Sequence, residues 1–150
     1  MGELKDVNLY IETSIRGPRR RPGAYAYVLE YKAAAGVATY TASKALESTT
    51  EHQSLGFAIR AAAGHLKRCN LTIHTSSSYI KSVFDTWLDN WIQNDFRNAK
   101  GAPVADAEVW KEIAEKLNGN PVQAVVTTEH TYRDWMLREV DSRAAQGSTK

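Results

Sequence analysis

Three β-rich runs come before any helical period in this chain, and that order restricts the fold more than any other feature. Residues 7–11, 23–31 and 37–43 are apolar, with β-branched and aromatic residues such as Val7, Tyr27, Thr39 and Tyr40. The connection between the second and third is short and contains Gly36; the one between the first and second is broken by Gly17, Pro18 and Pro22. Connections of this kind predict an antiparallel meander. Thr49 or Thr50 then offers an N-cap for a helix running to about Leu66. Leu55, Ile59, Ala62 and Leu66 follow one another at spacings of four, three and four, the period of a single buried helical face. A fourth strand, 71–75, follows that helix, which implies a crossover onto a parallel neighbour.

Downstream, residues 77–91 read as a helix with Val83, Trp87 and Trp91 recurring every fourth position. Residues 94–103 form a polar break. Residues 106–117 form a further helix with Val109, Ile113 and Leu117 on one face, closed by Asn118-Gly119-Asn120-Pro121. Residues 122–128 give a fifth strand, and 132–145 a last helix. The expected organisation is one domain over 1–145 and a disordered tail over 146–150. A chain of 150 residues suits one domain that buries roughly two-thirds of its unfolded surface. Hydrophobic content of 43%, charged content of 24% and a net charge of +2 describe an ordinary globular protein. The mild basicity permits a nucleic-acid partner without demanding one. Cys69 is alone, which excludes an internal disulfide and a cysteine metal cluster. No run approaches the roughly 18 apolar residues that cross a bilayer, and no signal-peptide core is visible, so the expectation is a cytoplasmic protein with no membrane partner.

The order β-β-β-α-β-α-α-β-α, with the segments Val7-Asn-Leu-Tyr-Ile-Glu12, Thr49-Thr-Glu-His-Gln-Ser-Leu55 and Leu71-Thr-Ile-His-Thr-Ser-Ser77, is similar to the ribonuclease H family, type 1-like. The resemblance covers about residues 5–145. It implies an α/β fold of the ribonuclease H-like kind: a five-stranded mixed sheet, strands 1–3 antiparallel and 4–5 parallel, with helices on both faces. It also implies metal-dependent hydrolysis of RNA in RNA–DNA hybrids, with carboxylates gathering two divalent cations around the scissile phosphate. The three motif positions hold Asp, Glu and Asp in active members and Glu12, Ser54 and Ser76 here. A fourth acid in the last helix is matched by Asp141, because Asp141-Ser-Arg-Ala144 resembles the family's Asp-x-x-Ala. His130 matches the mobile histidine that assists catalysis. A neutral hydroxyl is a poor ligand for a hard cation, and Glu12 is one methylene longer than the family's Asp. The resemblance therefore implies a degenerate active site, a pseudoenzyme with no metal and no cofactor. Mg²⁺ or Mn²⁺ enters only if nuclease activity survives, with Glu51 or Glu129 as substitute acids.

Residues 83–103 resemble the basic handle of some family members. Trp87 and Trp91 match two of its tryptophans, and Phe96 stands near a third aromatic. The handle here is poor in cations: Arg97 and Lys100 stand against Asp85, Asp89 and Asp95. Thr50 and Glu51 occupy places where the family holds asparagines. The dense basic patch is instead Arg16, Arg19, Arg20 and Arg21 in the first connection, which the resemblance places beside the active-site face. The expected nucleic-acid-binding set is Arg16, Arg19, Arg20, Arg21, Arg97 and Lys100. Three readings follow: a catalytically inactive module for RNA–DNA hybrid or other nucleic acid, a module that binds a protein partner, and a nuclease rewired around Glu12, Glu51, Asp141 and His130.

Overall fold

The computed structural model describes residues 4–148. Five strands form one sheet in the order β3-β2-β1-β4-β5. These are β1 (Lys5–Thr13), β2 (Arg21–Ala33), β3 (Gly36–Thr49), β4 (Cys69–Thr75) and β5 (Val122–Val126). β1 pairs antiparallel with β2, β2 antiparallel with β3, and β4 runs parallel to both β1 and β5. The expected fold class is therefore the observed one. The first three strands are longer than the apolar runs alone suggest, because hairpin pairing carries the ladder out to Arg21↔Thr49 and Ala33↔Gly36. Gly36, at φ +128°, supplies the turn conformation that L side chains avoid.

The helices are α1 (Glu51–Ala63), α2 (Ser78–Ser82), α3 (Leu88–Gln93), α4 (Ala107–Lys116) and α5 (Arg133–Ser148). Thr50 caps α1 by accepting the Gln53 amide at 3.1 Å. The single helix expected over 77–91 is divided by one π turn, Val83–Trp87. The wider turn shifts the helical phase, so Trp87 stays 41% exposed while Trp91 packs 6.0 Å from the Trp110 ring. The last helix continues to Ser148, past the start of the expected tail; residues 149–150 lie outside those described.

Strand alternation divides the core in two. Leu9 and Ile11 of β1, with Ile59 of α1 and Trp110 and Ile113 of α4, fill the larger half. On the opposite face Ala24, Ala26 and Val28 of β2 meet Met136 and Val140 of α5. Fully burying side chains of this size contributes about 1.5–3 kcal/mol each. The two alanines leave room for α5 to lie close on the sheet, and that closeness brings its first turn to the end of β1. No helix among the described residues is long and apolar enough to cross a membrane.

Candidate active site

Glu12 points from β1 into the face covered by α5, opposite Ala26 in the ladder. Its side chain is 1% exposed. Burial raises its carboxyl above the usual range, and the nearby Arg133 and Arg16 guanidiniums pull partly against that rise. Arg133 Nε stands 4.0 Å from Glu12 Oε2, and His130 Nε2 stands 3.9 Å from the same oxygen. These separations exceed hydrogen-bonding distance, and both Glu12 Oε2 and Arg133 Nε are buried without a hydrogen-bond partner. Arg133 is itself held by the Thr128 carbonyl and the Glu129 carboxylate, both of which accept from its Nη1.

His130 is not an exposed histidine in this arrangement. Its side chain is 7% exposed, and its ring packs 4.5 Å from Tyr10. Tyr10 in turn stacks on His74 at 4.5 Å. The Tyr132 amide donates to His130 Nδ1 at 3.2 Å, so the neutral ring carries its proton on Nε2, facing Glu12. Burial, together with His74 and Arg133, lowers the His130 pKa and keeps the ring neutral.

Ser54 is fully buried, but it does not face Glu12. Its hydroxyl donates to Thr13 Oγ1 at 2.6 Å, and Thr13 donates onward to the Ala24 carbonyl at 3.1 Å. This serine–threonine chain lies on the α1 side of β1, one residue beyond Glu12, and ties α1 to the first two strands. Ser76 lies in the bend between β4 and α2, half-buried. The neighbouring Ser77, not Ser76, caps α2 by accepting the Ile80 amide.

Asp141 stands at the position that the resemblance gives to the fourth acid. It is exposed on α5, eight residues beyond Arg133, or about 12 Å along the helix axis. Arg133 is the α5 residue that reaches Glu12. The pattern that finds it is in the sequence: Met136, Val140 and Ala144 repeat every four residues along the inward face, and Arg133 precedes Met136 by three. Asp141 follows Val140 by one residue, about 100° around the helix. The substitute acids are also placed elsewhere. Glu51 Oε1 accepts the Gly17 amide at 2.9 Å, and the Glu129 side chain is 89% exposed.

A divalent cation does not fit this donor set. Among the described residues, no group of three His, Cys, Asp or Glu side chains converges on a point that could hold a metal. One carboxylate faces a permanent guanidinium, whose positive charge stands 4.0 Å from Glu12 Oε2 and repels a further cation there.

The four arginines lie on a well-anchored loop. Ile15, 1% exposed, packs over Gly23; a Cβ at Gly23 would lie 2.4 Å from Ile15 Cδ1, so glycine is what lets the loop sit down. The Ser14 amide donates to the Ala24 carbonyl at 3.0 Å, and the Glu51 amide to the Gly17 carbonyl at 3.2 Å. Arg16 folds back to the carbonyls of Thr13 and Ile15. Arg20 donates to the Ser48 carbonyl and to Gln53 Oε1, both at 3.1 Å. Arg19 and Arg21 are exposed, and among the described residues their guanidiniums bond to nothing. Among those residues, too, no carboxylate forms an ion pair with any of the four. Arg97 donates to the Gly101 carbonyl in the 94–103 segment, and Lys100 is exposed there; no contact among the described residues joins these two to the arginine loop.

The mixed sheet, the crossover helix and the α5-covered Glu12 together define a ribonuclease H-like α/β domain. Among solved structures, LC9-RNase H1, a type 1 RNase H with the type 2 active-site motif, superposes with a TM-score of 0.79 at 20% identity, over 99% of this chain and 76% of its own. The foamy viral protease-reverse transcriptase in complex with RNA/DNA hybrid superposes at 0.65 and 20% identity, over 97% of this chain and 20% of its own. The family model described as RNase H matches residues 4–148. A ribonuclease H of Idiomarina loihiensis is 31% identical over 124 residues, 82% of this chain and 76% of the relative. One of Clostridium botulinum is 29% identical over 139 residues, 90% of this chain and 91% of the relative. The chain belongs to the RNase H family.

Proposed function

We propose that this RNase H family member binds nucleic acid without hydrolysing it, and that its 16–21 loop supplies the main phosphate contacts. The observation that carries the reading is a single buried carboxylate, Glu12, beside Arg133 and His130 where hydrolysis would need converging acids. Burial pushes the Glu12 carboxyl toward its neutral form, the Arg133 guanidinium adds positive charge 4.0 Å away, and the serines at 54 and 76 add no charge to attract a cation. Arg19 and Arg21 remain free for phosphate, and Arg20 is held in a fixed direction by Ser48 and Gln53. Arg20, held so, loses little entropy when its remaining Nη1 donates to phosphate, and the open forks of Arg19 and Arg21 suit bidentate contacts. One structural neighbour is a complex with RNA/DNA hybrid, and that duplex is the first ligand to try.

The experiment is fluorescence anisotropy with labelled RNA–DNA hybrid, duplex DNA and single strands over a salt series. Binding should weaken as salt rises, and R19A/R20A/R21A should flatten the slope of log K against log salt by about 0.7–0.9 for each phosphate the loop no longer neutralises. An unchanged affinity and slope would remove the loop from the interface. Absence of binding to every nucleic acid at low salt would favour a protein partner. Cleavage of hybrid by the unaltered protein in Mn²⁺, abolished by Glu12→Ala, would establish the rewired nuclease instead.

A further inference from the structure

The far end of the molecule carries a cavity whose lining is specific enough to name a ligand. It measures about 450 Å³, within the range of small-molecule sites. It opens where β1 begins and α1 ends, seven residues from Glu12 along β1, or about 23 Å at the rise of a strand. Val7, Leu29 and Leu66 form an apolar floor on the α1 side of the sheet, whereas Glu12 faces α5.

Two properties of the walls matter. Tyr31 and Tyr40 are 42% and 46% exposed, so large aromatic faces stand open to solvent. Tyr40 is braced by His65 at 4.5 Å and by Tyr27 at 6.2 Å between ring centroids. The wall also holds Lys5, Lys67 and Arg68, and among the described residues no carboxylate lines the cavity. Among the described residues these three cations form no ion pair. They are not occupied in capping α1 either: the amides of Gly64, His65 and Leu66 donate to the Arg60, Ala62 and Ala63 carbonyls. An apolar floor, a braced aromatic wall and three uncompensated cations together suit a flat ring joined to a compact anion.

We propose that this cavity binds a nucleoside 5′-monophosphate, with the base against Tyr40 and Tyr31 and the phosphate at Lys5, Lys67 and Arg68. The aromatic faces give a base its stacking surface, and the cations meet a dianion in a cavity that no carboxylate among the described residues lines. The site lies away from Glu12 and the arginine loop, so it stands or falls independently of nucleic-acid binding there.

The test is an amide-resolved NMR titration with AMP, beside adenosine, inorganic phosphate and a short single-stranded oligonucleotide. AMP should shift the amides of His65, Lys67, Arg68 and Cys69 saturably, and adenosine and phosphate should each bind at least about tenfold more weakly. K67E/R68E should weaken AMP by about tenfold or more, and Y40A should weaken AMP while leaving phosphate unchanged; both sets of positions are exposed enough for the fold to survive. Absence of shifts at about 10 mM AMP, equal affinity for phosphate alone, or indifference to Y40A would each overturn the proposal. So would oligonucleotide binding without AMP binding, which would make the cavity a strand contact.

Discussion

At the scale of the residue, Glu12 holds the most consequential balance in the molecule. Its carboxyl is raised chiefly by burial, with Arg133 and Arg16 opposing. A group whose pKa is raised on folding contributes stability at low pH that is lost as pH climbs through the folded value. Glu12→Gln removes that titration but keeps the shape and an acceptor oxygen. The stability of the variant relative to the parent should therefore grow as pH rises from 4 to 8, by about 1.4 kcal/mol for each unit by which the folded pKa exceeds the unfolded one. Urea unfolding of both proteins across that range measures the difference directly. A difference that stays flat with pH would mean that Glu12 titrates as it would in water, and the case for a neutralised site would fail with it.

At the scale of the element, what is legible in the sequence is whatever has an apolar pattern running along one segment. The meander, the crossover helix with its Thr50 cap and the two parallel strands all announce themselves by period and by turn residues. The details that stay hidden depend on how one element meets another. By motif Asp141 is the fourth acid with Val140 on the inward side, and the helix phase set by Met136, Val140 and Ala144 also brings Arg133 to that side, which the motif does not show. Ser54 stands at a vacated ligand position by motif, and pairing with Thr13 gives its hydroxyl a structural role. The π turn at Val83–Trp87 changes phase within a helix whose four-residue repeat looks continuous. The loop seat is likewise invisible along the chain, because Gly23 meets Ile15 across a connection. It can be tested as a unit. Gly23→Ala drives a methyl into Ile15 and should cost about 1–3 kcal/mol, as overpacking does. Ile15→Ala in the same chain should recover part of that loss, a positive coupling of at least about 0.5 kcal/mol. Simple additivity in chemical denaturation would mean that the loop is not seated on Gly23. The same Gly23→Ala change should weaken nucleic-acid binding if the seat is what aims the arginines.

At the scale of the whole molecule, the question is whether the fold still offers a cation site once its side chains allow one. Two hydroxyls occupy the first-helix and fourth-strand positions, and a guanidinium occupies the near end of α5. Restoring the two acids alone leaves that guanidinium 4.0 Å from Glu12, where it repels any incoming cation and competes for the carboxylate. The double variant Ser54→Glu, Ser76→Asp should therefore bind Mn²⁺ no better than the unaltered protein in calorimetry. Adding Arg133→Asp removes one positive charge and adds one negative charge at the same place, and the triple variant should bind Mn²⁺ with a measurable heat. Hybrid cleavage should appear only in that triple variant, since two cations need several converging carboxylates. Metal binding by the double variant would show that Arg133 swings aside and that the serines alone had closed the site. Metal binding by neither, with the fold intact by circular dichroism, would mean that Glu12 faces α5 too squarely to share a cation with residue 54. The Thr13–Ser54 hydrogen bond already separates those two side chains across β1, and the divergence of the two faces would then be what keeps residue 54 from sharing a cation with Glu12.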